Sequence, residues 1–279
     1  MNDFYSRSRP MPLGPPLGQP LDQADGLRRL FAGRQCRVLP LVANPYVAFS
    51  GVVLDRLAAV LAAQGRQVLV VDAANASPPP NELAAVDLAA GIEQVSARVS
   101  YLPAGGLPMA YVDTRGSAHG FIDAVQRAAP QAEVILLHAD AQDLVRIYKR
   151  RAARPLLLGA DHPDSIKHAY AGAKLLATRC ELLSFDLLLA APPQSPRVAA
   201  IAQSLAGCAD TFLGAVLCHT ALIDPAVDPA APADAALSSL LAAQFALDAA
   251  ADPMPAAAAY AAPAQTALLS TARAARHVL

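Results

Sequence analysis

The sequence predicts an α/β domain built as a doubly wound, mostly parallel sheet with helices on both faces. Three observations carry this. Between residues 36 and 224 short apolar runs alternate with amphipathic segments. The runs are continuously apolar rather than alternating, which suits strands buried on both faces of a parallel sheet. Helical patterns fall between successive runs, as parallel crossovers require.

In chain order the strand candidates are CRVLPLVA (36–43), QVLVVDA (67–73), RVSYLP (98–103), EVILLHA (133–139), RPLLLGA (154–160) and LSFDLLLAA (183–191). Leu54, Leu57, Ala58 and Leu61 recur at helical spacing, and Gly65 is placed to stop that helix. Ile166, Tyr170, Ala173 and Ala177 form a second stripe behind Pro163 and Asp164. Val198, Ile201, Ala202 and Leu205 form a third, after the turn residues Ser195 and Pro196.

Outside this stretch the composition changes. Residues 1–20 are Pro-, Gly- and Ser-containing without periodicity and read as a disordered arm. Residues 21–33, LDQADGLRRLFAG, form a short helical patch, and 225–279 reads as an Ala/Pro-rich C-terminal tail. The 279 residues carry 22 Lys+Arg against 23 Asp+Glu, so nucleic-acid binding through bulk basic charge is not expected. The N-terminal residues lack the apolar core of a secretory signal, and no run reaches the ~18 apolar residues of a membrane span. Cys36, Cys180, Cys208 and Cys218 have no paired spacing, which fits a reducing cytoplasm rather than a disulfide or zinc framework. Cys36 and Cys180 are expected as small core fillers.

Four segments, in order, resemble one protein class. The stretch LDRLAAVLAAQGRQVLVVDAA (54–74) is similar to the opening helix and second strand of the MinD/ParA class of P-loop ATPases. PDSIKHAYAGAKLL (163–176) resembles that class's P-x-S-x-x-x-A-Y-x-x-x-K-L-L helix, and ADTFLGAVL (209–217) its helix-to-strand junction. DQADGLRRL (22–30) resembles the D-Q-A-x-x-L-R activator helix of one branch, the FlhG/FleN regulators of flagellar number. The resemblance spans about 22–224 and implies a P-loop fold whose parent class uses ATP and magnesium.

The departures point away from that chemistry. The class's phosphate loop has glycines that bare backbone N–H groups and lysines that supply charge. In the same frame this chain has Pro45, Tyr46, Val47, Ala48, Phe49, Ser50 and Gly51. Pro45 and Ser50 replace the lysines. Tyr46, Val47 and Phe49 replace glycines and are expected to fill phosphate volume, and Gly51 replaces the magnesium-binding threonine. Losing three charge-assisted contacts at ~1.5–3 kcal/mol each removes more than three decades of affinity. Asp72 is retained, but the next acidic position is Ala74. His138 stands at the metal-associated aspartate, unless Asp140 takes over. The expectation is a vestigial nucleotide site at Pro45, Tyr46, Phe49, Ser50, Gly51, Asp72 and His138, with no cofactor, no metal and no catalytic residue.

The resemblance implies that Asp22, Gln23, Ala24, Leu27 and Arg28 contact a partner, an FlhF-type GTPase of the signal-recognition-particle class. A neutral amide such as Gln23 can orient a water at a γ-phosphate. The same residues read without the resemblance make an ordinary amphipathic cap. His162 and His168, six apart, do not share a helix face for metal, and Lys149, Arg150 and Arg151 read as a solvated basic face. SSLLAAQFALDAA (238–250) has no basic residue, so membrane recruitment through the tail is unsupported.

The function expected is therefore a cytoplasmic pseudo-ATPase regulating flagellar assembly through FlhF, peripheral at the cell pole or flagellar base, with basal-body components as further partners. The alternatives are a MinD/ParA-type ATPase with an unusual loop, and a plain flagellar scaffold.

Overall fold

A computed structural model describes residues 36–149 and 151–251, with backbone alone for Ala85 and residues 247–251. The predicted segment 21–33, with its five partner-contact residues, lies outside the described residues.

Eight strands form one sheet: β1 (Arg37–Val42), β2 (Val68–Asp72), β3 (Glu93–Gln94), β4 (Val99–Pro103), β5 (Val134–Ala139), β6 (Leu156–Ala160), β7 (Ser184–Ala190) and β8 (Val216–Ile223). Their order is β3-β4-β2-β5-β1-β6-β7-β8. Every pairing is parallel except β3 with β4. The helices are α1 (Ser50–Ala63), α2 (Gly120–Ala128), α3 (Ala141–Tyr148), α4 (Pro163–Cys180), α5 (Val198–Leu213) and α6 (Ala235–Ala251).

The six apolar runs become β1, β2, β4, β5, β6 and β7, each trimmed at its ends. β5 is buried along its whole length, as a strand covered on both faces must be. Pro40 sits in the central strand β1, an unusual place because proline lacks an N–H. The β1–β6 ladder begins only at Leu41, so one flank of Pro40 carries no ladder to interrupt.

The core has two layers. On one face Leu54, Leu57 and Leu61 of α1 pack with Leu39, Leu41, Val70 and Leu136. On the other, Phe121, Ile122, Leu144, Ile147, Leu176 and Leu205 pack on Val71, Ile135, Leu137 and Leu187. Gly172 lets α4 approach β1 closely, since a Cβ there would meet a Val42 methyl at 3.0 Å. α1 ends as predicted, with Gly65 at φ 87. Cys36 and Cys180 are half-buried fillers against the second layer, and burial pushes the Cys36 thiol up to about 11.

Within the Ala/Pro-rich stretch that begins at 225, α6 packs onto the domain. Leu237, Leu240, Leu241 and Gln244 recur at helical spacing and are buried, the leucines in the α1 layer. Arg56 of α1 donates to the carbonyls of Pro229 (2.8 Å), Ala231 and Pro232 (2.7 Å), fixing the connection that precedes this helix. The run is Ala-rich and carries little apolar moment, which is why composition hides its buried face. Among the described residues no helix is long and apolar enough to cross a membrane.

Candidate functional site at the carboxyl edge of the sheet

Ligands of open α/β sheets bind beyond the carboxyl ends of the strands, where the crossover direction reverses. Here β1 is flanked by β5 and β6, so the loop from β1 to α1 (residues 43–49) and the ends of β2, β5 and β6 define the place.

Asn44 closes the base of that loop. It is buried, and its Nδ2 donates to Leu158 O (2.8 Å), Ser165 O (2.8 Å) and Ser165 Oγ (3.0 Å). Its Oδ1 accepts from Tyr46 N (3.1 Å), and its carbonyl accepts from Val47 N (3.0 Å). Ser165 Oγ also accepts from Ala160 N (2.9 Å), so the loop, β6 and the start of α4 are tied at one point. Sequence reasoning did not assign Asn44. The available signal was a polar residue ending an apolar strand, together with the Ser of the P-x-S helix start.

The side chains over the loop differ from expectation. Val47 does not fill space above it but is buried in the α1 layer, 5% exposed. Tyr46 leans edge-on against His168, ring centroids 5.9 Å apart, on the first turns of α4. Phe49 projects into solvent, 71% exposed, and caps α1 in the left-handed region at φ 64, ψ 36. The backbone thus keeps a conformation natural to glycine while carrying an aromatic side chain. Ser50 and Gly51 begin α1, and a Cβ at Gly51 would meet nothing within 4 Å. His162 caps α4, its Nδ1 accepting from Asp164 N (3.3 Å), and is exposed.

Beside the loop, Asp72 and His138 sit at paired positions of β2 and β5. His138 Nδ1 lies 2.7 Å from Asp72 Oδ1, which also accepts from the Ser77 hydroxyl; Tyr101 OH donates to Asp72 Oδ2 at 3.1 Å. Burial pushes the Asp72 carboxyl up. The bonds from His138 and Ser77, the His138 charge and the bond from Tyr101 outweigh it and hold the carboxyl below the ordinary aspartate value. Burial, and then the Asp72 charge, push the Tyr101 phenol up. An ionised carboxylate only accepts, so Nδ1 carries a proton; Nε2 is buried with no partner among the described residues. Asp140, the candidate replacement, instead accepts from Asn75 N at 2.7 Å. Both Asp72 oxygens, one oxygen of Asp140 and one ring nitrogen of His138 are thus bonded within the protein.

A bound triphosphate needs free amides and cations. Asn44 takes the amides of Tyr46 and Val47, and residues 43–55 include no Lys or Arg. The first cation of α1, Arg56, is spent on the 229–232 carbonyls. Among the described residues no cluster of three His, Cys, Asp or Glu side chains could hold a metal.

No protein-family model and no curated protein matches the chain. Solved structures do. MinD cell division protein from Aquifex aeolicus matches with TM-score 0.50 and 12% identity, covering 79% of this chain and 99% of that one. Cobyrinic acid a,c-diamide synthase from Mycobacterium smegmatis, solved with ADP and magnesium, matches with TM-score 0.51 and 16% identity over 79% and 98%. A ParA family ATPase from Chlorobium tepidum gives TM-score 0.45 and 15% identity over 79% and 94%. The chain has the MinD/ParA P-loop fold. At these identities the likeness concerns the fold alone.

Proposed function

We propose that the protein is an FlhG-like, non-catalytic regulator: a MinD/ParA fold that binds no ATP and acts on an FlhF-type GTPase through residues 22–28. The observation that carries the first half is the loop at 43–49, whose Asn44-bound amides, Phe49 cap and lack of cations replace a phosphate cradle. The second half rests on the D-Q-A-x-x-L-R match at Asp22–Arg28. In this reading Asp22, Ala24 and Arg28 shape the contact face and Leu27 anchors it. Gln23 positions the attacking water in the partner's site.

The test is the GTP hydrolysis rate of a purified FlhF-type GTPase with and without the full chain. The wild type raises the rate. Gln23→Ala removes the stimulation while sparing binding, because an amide that positions water acts mainly in the transition state. Leu27→Ala weakens binding by about 1.5–3 kcal/mol if its side chain is fully buried in the complex. Unchanged stimulation by both variants would leave 22–30 as a structural cap and overturn the proposal.

A further inference from the structure

Between the first turns of α4 and α5, beyond the ends of β6 and β7, lies a groove of about 620 Å³ with apolar walls from Pro163, Ile166, Pro196 and Ile201. Its shape follows from small residues. Gly159 of β6 lets Ile166 settle onto the sheet, since a Cβ there would meet Ile166 Cδ1 at 3.4 Å and Leu189 Cδ2 at 2.9 Å. Ala200 and Ser204, one turn apart on α5, line the groove with short side chains and leave it open. The Ser195 hydroxyl donates to Asp161 Oδ2 at 2.8 Å, tying the loop after β7 to the loop after β6. Small-molecule clefts measure about 300–1,000 Å³ and set a few polar groups among apolar walls. Here the charged lining groups are one carboxylate and one guanidinium. Asp161 accepts from Ser195, whereas the exposed Arg197 guanidinium has no hydrogen bond or ion pair among the described residues.

We infer that this groove binds a small amphiphile carrying a single negative charge, an aliphatic monocarboxylate, with its chain on Ile166 and Ile201 and its head on Arg197. A guanidinium holds a carboxylate through two parallel N–H bonds, a geometry no other lining group offers. The chain leaves water for apolar surface that is already formed, so binding needs no reorganisation of the protein. Asp161 sets the charge limit. A phosphate dianion or a polyphosphate would meet that carboxylate as well as Arg197, and like-charge repulsion then favours the monoanion. The site goes beyond the proposed function and uses none of residues 22–28, so its test needs no GTPase.

Titration calorimetry of the full-length protein with decanoate, kept below its micelle concentration, tests the site. Arg197→Gln removes the head contact, and Ala200→Leu fills the groove; both positions are exposed, so folding is undisturbed. The expected result is saturable binding to the wild type with a Kd below about 1 mM. Arg197→Gln should weaken it about tenfold, the scale of one charge-assisted contact, and Ala200→Leu by at least as much. Decyltrimethylammonium, with the same chain and the opposite charge, should bind the wild type at least about tenfold more weakly than decanoate. Absence of saturable wild-type binding overturns the inference, and equal Kd values in all three proteins do so by placing the ligand elsewhere. Weakening by Ala200→Leu alone removes the anionic head from the site, and a wild-type Kd that rises with protein concentration gives the groove to a second copy; either result overturns the inference.

Discussion

Asp72 Oδ1 and His138 Nδ1 lie 2.7 Å apart at paired positions of two adjacent parallel strands. The pair occupies the carboxyl edge where related folds carry nucleotide chemistry, yet every Asp72 oxygen is bonded to a neighbouring side chain. The pair joins the ends of β2 and β5 through side chains.

Acid sensitivity follows from the Asp72 carboxyl. Its folded-state value is held below the unfolded one. Its stabilisation is therefore present above the ordinary aspartate pKa of about 4 and is lost as pH falls through the lower folded value. Urea unfolding across that range should show wild-type stability falling with pH. Asp72→Asn should be flatter there and about 1–3 kcal/mol less stable at neutral pH.

Phe49 carries a left-handed backbone without evident packing reward, being 71% exposed. A non-glycine residue there costs roughly 1–2 kcal/mol, and glycine returns part of that as unfolded-state entropy. Phe49→Gly should raise the unfolding free energy by up to about 1 kcal/mol. A loss of stability would mean that the aromatic ring packs against something in solution.

Asp186 is completely buried, with His219 Nδ1 at 3.0 Å, Gln244 Nε2 at 2.8 Å and Arg154 Nε at 3.0 Å. Gln244 also donates to Arg154 O, which makes this cluster the polar clasp between α6 and the sheet. Removing one partner of a buried ion pair costs about 3–5 kcal/mol. Asp186→Asn should lose stability on that scale in urea titration, with hydrogen exchange rising first across 235–246.

The sheet was legible because parallel strands buried on both faces leave unmixed apolar runs, and the helix stripes behind Leu54 and Val198 follow from helical spacing. β8 was visible only at its start, since its buried residues alternate and the edge strand is half exposed. α6 was hidden because alanine keeps its composition uniform while Leu237, Leu240 and Leu241 do the packing. At the site, the identities at 45–51 were legible, but their directions were not. Val47 turns into the core and Tyr46 toward His168 because Asn44 bends the loop, a long-range tie to Leu158 and Ser165 that no local pattern reveals.

The central proposal is that the carboxyl edge of this MinD/ParA fold takes no nucleotide. Titration calorimetry of the full-length protein with ATP and magnesium tests it most directly. The account predicts no heat beyond dilution up to about 1 mM ATP, a limit that leaves less than about 4 kcal/mol of binding free energy. A saturating isotherm with a Kd in the micromolar range would contradict it.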